Sequence, residues 1–157
     1  MVTEQSAFPR RRDGGLMKEM TLQATVDNIA AVTEFVNTEL DRLDCPKESR
    51  AQIDIAIDEL FGNIAKYAYQ PQEGTATVRI ETKENPQRVI LTFIDHGVEY
   101  NPLMKEDPDF PKSARERRIG GLGIFMVKNM MDDMTYEYKD GQNILSICRI
   151  IGQQAEI

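Results

Sequence analysis

The sequence predicts an α+β protein, a two-layer sandwich with helices on one face of a mixed, mainly antiparallel sheet. Its segments read in the order β-α-α-β-β-loop-α-β-β, the strands fall into two hairpins, and the helices gather together in sequence. At 157 residues the chain is one domain, long enough to bury most of its apolar surface. Residues 1–15 carry Arg10-Arg-Arg12, end at Gly14-Gly15 and read as a disordered, solvated tail, which leaves 16–157 as the domain.

Met20-Thr-Leu-Gln-Ala24 alternates apolar and polar side chains, so residues 16–24 read as a strand with one buried face. This strand is expected at or near a sheet edge, where free backbone groups invite a partner. Thr25 or Asp27 caps the next helix, in which Val26, Ile29, Ala30, Thr33, Val36 and Leu40 keep helical spacing up to about Asp44, before Pro46. The second helix runs from about Lys47 to Tyr69 and stops before Pro71, with Ile53, Ala56, Ile57, Leu60 and Ile64 as its buried stripe. Gly62 inside it costs about 1 kcal/mol relative to alanine, a cost that a ligand or a packed strand close by would explain.

Ala76, Val78 and Ile80 alternate with Thr77, Arg79 and Glu81 in the next strand. Asn85-Pro86 then turns the chain into the nearly continuous apolar strand 88–95, expected to be central. Residues 99–119 hold Pro102, Pro108 and Pro111 among many charges, a loop of a length that usually serves function. Helix 122–132 is apolar almost all round and is expected to be buried. Strands near 134–139 and 143–151 follow, joined at the hairpin signal Asp140-Gly141.

Three segments carry chemistry. On the second helix, Glu59 and Asn63 lie four apart and share a face beside the buried stripe. A carboxylate there needs a partner, which a metal ion and its phosphates would supply, although a solvated helix flank gives the same pattern. Asp95-His-Gly97 directly follows the apolar strand Val89-Ile-Leu-Thr-Phe-Ile94. An ionised carboxylate only accepts hydrogen bonds and so suits an exocyclic amine, whereas an Asx turn is the plainer account of the same residues. Gly120-Gly-Leu-Gly123 opens an apolar helix, where free backbone amides form an anion site; ordinary turns use such glycines too.

In this order and spacing, the segments Glu59-x-x-x-Asn63-x-x-x-Tyr67-Ala-Tyr69, Asp95-x-Gly97-x-x-x-x-Pro102 and Gly120-Gly-Leu-Gly123 resemble one known fold. It is the GHKL (Bergerat) ATP-binding fold of gyrase, histidine kinases, chaperone ATPases and mismatch-repair ATPases. Within that superfamily the chain resembles the small bacterial anti-sigma-factor serine/threonine kinases, over about residues 17 to 150. The resemblance implies ATP or ADP held between the helices and the 99–119 loop, with Asn63 ligating Mg²⁺ through its carboxamide oxygen. It implies Glu59 as general base or orienter of the attacking hydroxyl, and Asp95 as acceptor of the adenine amine. Gly97 would let the ring lie against the backbone, and Gly121, Leu122 and Gly123 would form the phosphate turn. Of Arg115, Arg117 and Arg118, the last lies nearest those glycines and is chosen to stabilise the transferred phosphoryl group, an exposed loop being the alternative. Tyr67 stands where many relatives carry histidine, and packs under the nucleotide.

The partners so implied are a sigma factor, a small antagonist protein as phosphorylation substrate, and a second copy in a homodimer built around Met20 and Leu22. The alternative is a non-catalytic, ATP-dependent binding switch, which would need Asn63 and Asp95 but not the base Glu59. A sensor histidine kinase is disfavoured, since no upstream helix carries a phosphoacceptor histidine. The single histidine, His96, has no partner in the sequence and is read as incidental. A net charge of −7 argues against nucleic acid as a general partner. There is no run of about 18 apolar residues to span a membrane and no secretory start. The two cysteines, Cys45 and Cys148, form neither a metal motif nor a disulfide framework, so a cytoplasmic setting is expected, with both as structural thiols.

Overall fold

Six strands form one sheet, β1 (Val2–Ala7), β2 (Met17–Gln23), β3 (Thr75–Lys83), β4 (Arg88–Asp95), β5 (Asp133–Lys139) and β6 (Gln142–Ile150), in the order β1-β2-β3-β4-β6-β5. Among the described residues the α-helices are α1 (Ile29–Arg42), α2 (Lys47–Asn63) and α3 (Gly121–Met130). The computed structural model describes residues 2–7, 16–104 and 121–152, with backbone alone for 2–7 and 121–122. Every pairing is antiparallel, so the expected mixed sheet is uniform. Short turns account for the pairs β3–β4 and β5–β6, since a tight turn joins only antiparallel neighbours; β2–β3 and β4–β6 are antiparallel across longer connections that carry the helices.

The strand alternation transfers directly to packing. Met20 and Leu22 of β2, Ala76, Val78 and Ile80 of β3, Val89, Leu91 and Phe93 of β4, and Leu145 and Ile147 of β6 bury their side chains in one core. Val32, Phe35, Val36 and Leu40 of α1, the Ile53–Phe61 stripe of α2, and Ile124 and Val127 of α3 join it. β4 is central, as its apolar run demands. Asp140 and Gly141 both adopt positive φ, 54° and 76°, the pair of left-handed residues that a two-residue hairpin turn requires.

Four expectations change. The supposed tail begins with β1, which pairs along β2 through a register shift between Val2 and Gln5. β2 is therefore an interior strand, and Met20 and Leu22, 2% and 0% exposed, belong to this domain's own core. A dimer cannot be built on them. The turn at 26–28 is a 3-10 helix, at which Thr25 makes no side-chain cap and inside which Asp27 lies. That tight turn rotates the apolar phase of α1, leaving Val26 exposed and turning Val32 and Phe35 inward instead of Ala30 and Thr33. Finally, α2 does not continue regularly to Tyr69, for residues Ile64–Ala68 form a π-helical turn. Among the described residues no helix is long and apolar enough to cross a membrane.

Candidate functional site

The π-helical turn at the end of α2 widens the helix, and such turns are frequent at functional sites. It frees the Ala68 carbonyl to accept from Val98 N–H at 3.0 Å, which fastens the segment after β4 to the end of α2. A Cβ on Gly97 would run into the Ala68 carbonyl, so glycine is required there for a close backbone approach. Tyr69 completes the joint. Its hydroxyl donates to the Thr75 carbonyl at 2.5 Å and accepts from His96 N–H at 2.8 Å. Its ring fills the space where Gly74 has no side chain. Burial pushes the Tyr69 phenol above its ordinary value, and Asp95 adds to this, so the hydroxyl keeps the proton it donates.

Asp95 ends β4 and is 5% exposed. Its Oδ1 accepts from Gly97 N–H at 2.8 Å, closing the Asx turn, and from Asn143 Nδ2 at 2.9 Å. Asn143 is the β6 residue directly opposite Asp95. Its Oδ1 accepts from Tyr100 N–H at 3.0 Å and from the Tyr136 hydroxyl at 2.5 Å, and its Nδ2 also donates to the Val98 carbonyl at 2.9 Å. Burial raises the Tyr136 phenol as well, so it too remains a donor.

These groups surround a cavity of about 420 Å³. Leu60, Ile64, Phe93, Ile124 and Leu145 give it apolar walls, and Asp95 and Asn143 are its buried polar groups. Tyr67, Val98 and Tyr100 stand exposed at its rim. Asn63 lines the same cavity from the last turn of α2. The donor set fits a heteroaromatic amine set against Asp95. Among the described residues no group of three or more His, Cys, Asp or Glu could hold a metal ion.

Glu59 is half-buried one turn before Asn63 and is not among the cavity's lining residues. Its carboxylate lies where a Cβ of Gly123 would be, so the first turn of α3 and the catalytic candidate are in contact. Gly121, Leu122 and Gly123 open α3, where backbone N–H groups lack partners within the helix. Asn63 and Asp95 are thus brought together at one cavity. Gly97 does not line it but shapes the turn beneath Asp95. Arg115, Arg117, Arg118 and Gly120 lie outside the described residues.

Sequence reasoning missed Asn143 and Tyr136, and quoted Tyr69 within the first motif without giving it a role. The signal for Asn143 was there: it holds a core-facing position in the alternation Asn143, Leu145, Ile147, and a polar residue at such a position must find partners. Among the described residues no strand presses on Gly62, for a Cβ there would meet only Ile29 Cδ1 at 3.8 Å. Cys45 and Cys148 both have thiols pushed up by burial, which suits structural roles.

The family model described as the histidine kinase-like ATPase domain matches residues 22–149 of this chain. The serine/threonine-protein kinase BtrW of Bordetella bronchiseptica is 26% identical over 98 residues, 62% of this chain and 68% of that protein. The serine-protein kinase RsbW of Listeria innocua is 28% identical over 114 residues, covering 69% and 71%. RsbW of Bacillus mycoides is 25% identical over 142 residues, 88% of each chain. Among solved structures, the RsbU and RsbW domains of Rv1364c from Mycobacterium tuberculosis superpose with a TM-score of 0.62 at 17% identity, over 88% of this chain. This chain spans 33% of that one, and at such identity the likeness concerns the fold.

Proposed function

The chain belongs to the histidine kinase-like ATPase domain family, and from that premise we propose that it is an anti-sigma factor with serine/threonine kinase activity toward an antagonist protein. The observation that carries this reading is the meeting of Asp95 and Asn63 at one cavity, with Glu59 one helical turn from Asn63. The relatives named as serine or serine/threonine kinases support the same reaction class.

In this reading Asp95 accepts from the exocyclic amine of adenine, and the apolar walls hold the ring. Asn63 offers its carboxamide oxygen to Mg²⁺, a hard ligand for a hard cation. When bound, Mg-ATP supplies the phosphoryl group and the cation that offsets its charge. Glu59 takes the proton of the attacking seryl or threonyl hydroxyl as the oxygen bonds to the γ-phosphorus and ADP departs. The amides of Gly121, Leu122 and Gly123, together with Arg118, serve the phosphates. The setting is cytoplasmic, and the partners are a sigma factor and its antagonist. A homodimer belongs to the proposal through an outer strand, β1 or β5, rather than through β2; sedimentation at tens of micromolar tests it, and a monomer overturns it.

Incubation with labelled ATP and candidate antagonist proteins tests the kinase reading. Label is expected on a serine or threonine, and Glu59→Ala is expected to lower its rate by about two to four orders of magnitude with nucleotide affinity within a few-fold. Nucleotide binding without any labelled antagonist transfers the function to the non-catalytic switch. The observation favouring that second reading is that Glu59 packs on Gly123 and does not line the cavity.

A further inference from the structure

Asn143 has its full hydrogen-bonding capacity engaged beside the cavity. It is 6% exposed and ties two pieces of chain together: the stretch from Asp95 through the Val98 carbonyl to the Tyr100 amide, and the Tyr136 hydroxyl of β5. The orientation of its amide is dictated by these partners. A flipped carboxamide would set its oxygen against the Asp95 carboxylate and the Val98 carbonyl, and its NH₂ against the Tyr100 N–H. Two N–H groups and two lone pairs are all that the carboxamide has, and these contacts employ them. Asn143 therefore acts on a bound base through Asp95.

Resting on the nucleotide reading above, we propose that Asn143 is a positioning residue that makes the pocket choose a 6-amino purine over a 6-oxo purine. It does so by fixing the Asp95 carboxylate in one orientation. A carboxylate facing the base accepts from a 6-amino group, whereas a 6-oxo group presents lone pairs to it. That rejection lasts only while the carboxylate cannot turn away. Asn143 Nδ2 and Gly97 N–H both donate to Oδ1, so the carboxylate is held at that oxygen by two donors, and Oδ2 is the oxygen this proposal leaves for the base. The same asparagine holds Val98 and Tyr100, so the rim beside the base is set by the residue that sets its acceptor. Without Asn143 the carboxylate turns, and the 6-oxo purine is no longer excluded.

The test compares ADP and GDP binding to the full chain by calorimetry, for the wild type, Asn143→Leu and Tyr136→Phe. The wild type is expected to prefer ADP. In Asn143→Leu the ratio of ADP to GDP affinity should fall about tenfold or more, the weight of one hydrogen bond to a charged group. Tyr136→Phe removes one of the two donors that fix the Asn143 amide and so loosens its hold on Asp95 without removing it; it should lower the ratio about threefold. A lower melting temperature with an unchanged ADP to GDP ratio would show Asn143 to be merely structural and overturn the inference, leaving the nucleotide reading intact. If Asn143→Leu does not fold, the ratio in Tyr136→Phe decides alone. A wild type that binds neither nucleotide overturns the reading of the pocket and the inference with it.

Discussion

Gly97 and Gly123 are both pressed by α2 or its extension, yet by different kinds of neighbour. At Gly97 the neighbour is backbone, the Ala68 carbonyl, already bonded to Val98 N–H. At Gly123 it is the far end of a flexible side chain, the carboxylate of Glu59. The end proposed to hold the base is consequently a fixed frame, braced by Tyr69, Asn143 and the Asx turn, in which an atom added at Gly97 must displace main chain. The end assigned to phosphoryl transfer is set by one carboxylate resting against a helix start, and an added atom can push it aside. On the proposed function, recognition is then built rigid and chemistry is built to be adjustable.

The sharpest way to break this contrast is Gly123→Ala. Its methyl would displace the Glu59 carboxylate, and misplacing a catalytic group by about 1 Å costs on the order of a hundredfold in turnover. Phosphoryl-transfer rates should show that loss, while ADP affinity and melting temperature stay near wild type. Asp95→Asn attacks the other end, replacing a charged acceptor with a neutral amide. Calorimetry should record ATP affinity weakened about ten- to a hundredfold, and unchanged affinity would remove Asp95 from adenine recognition. Gly97→Ala should cost about 1–3 kcal/mol of stability because backbone must shift to admit it, which denaturant unfolding measures. If Gly97→Ala were as stable as Gly123→Ala, the two ends would not differ in stiffness. Smallest of all is Gly62→Ala, where Ile29 Cδ1 lies at an ordinary contact distance. Helix propensity should raise stability by about 0.5–1 kcal/mol, visible as a melting temperature about 2–4 °C higher at most.

The legible parts of the molecule were those written in periodicity. Alternation located β2, β3 and the hairpin of β5 and β6, and the continuous apolar run located β4, because each burial pattern is carried by the residues of its own segment. β1 was invisible because an outer strand is held by backbone pairing with β2, which any side chains permit. The buried face of α1 was misphased by the 3-10 turn before it. Its buried Glu39 reads as polar in sequence, but Lys18 of β2 donates to it at 2.7 Å. In the site, Asn63 and Asp95 stood out through the order of the motifs. Asn143 and Tyr69 did not, since the bonds that give them meaning span 48 and 27 residues of chain, to Asp95 and to the His96 amide.

The placement of β1 bears on how the protein should be handled at the bench. Residues 1–15 look dispensable in sequence, and trimming them is the obvious step in preparing a shorter chain for crystallisation or binding work. Doing so would strip β2 of its neighbour along 17–23 and expose a row of unpaired N–H and C=O groups, a template for adhesion to any other strand. Self-association or partner capture by a shortened chain would then be manufactured by the trimming. Oligomer and partner measurements belong to the chain that keeps Val2–Ala7, with any affinity tag placed away from that strand.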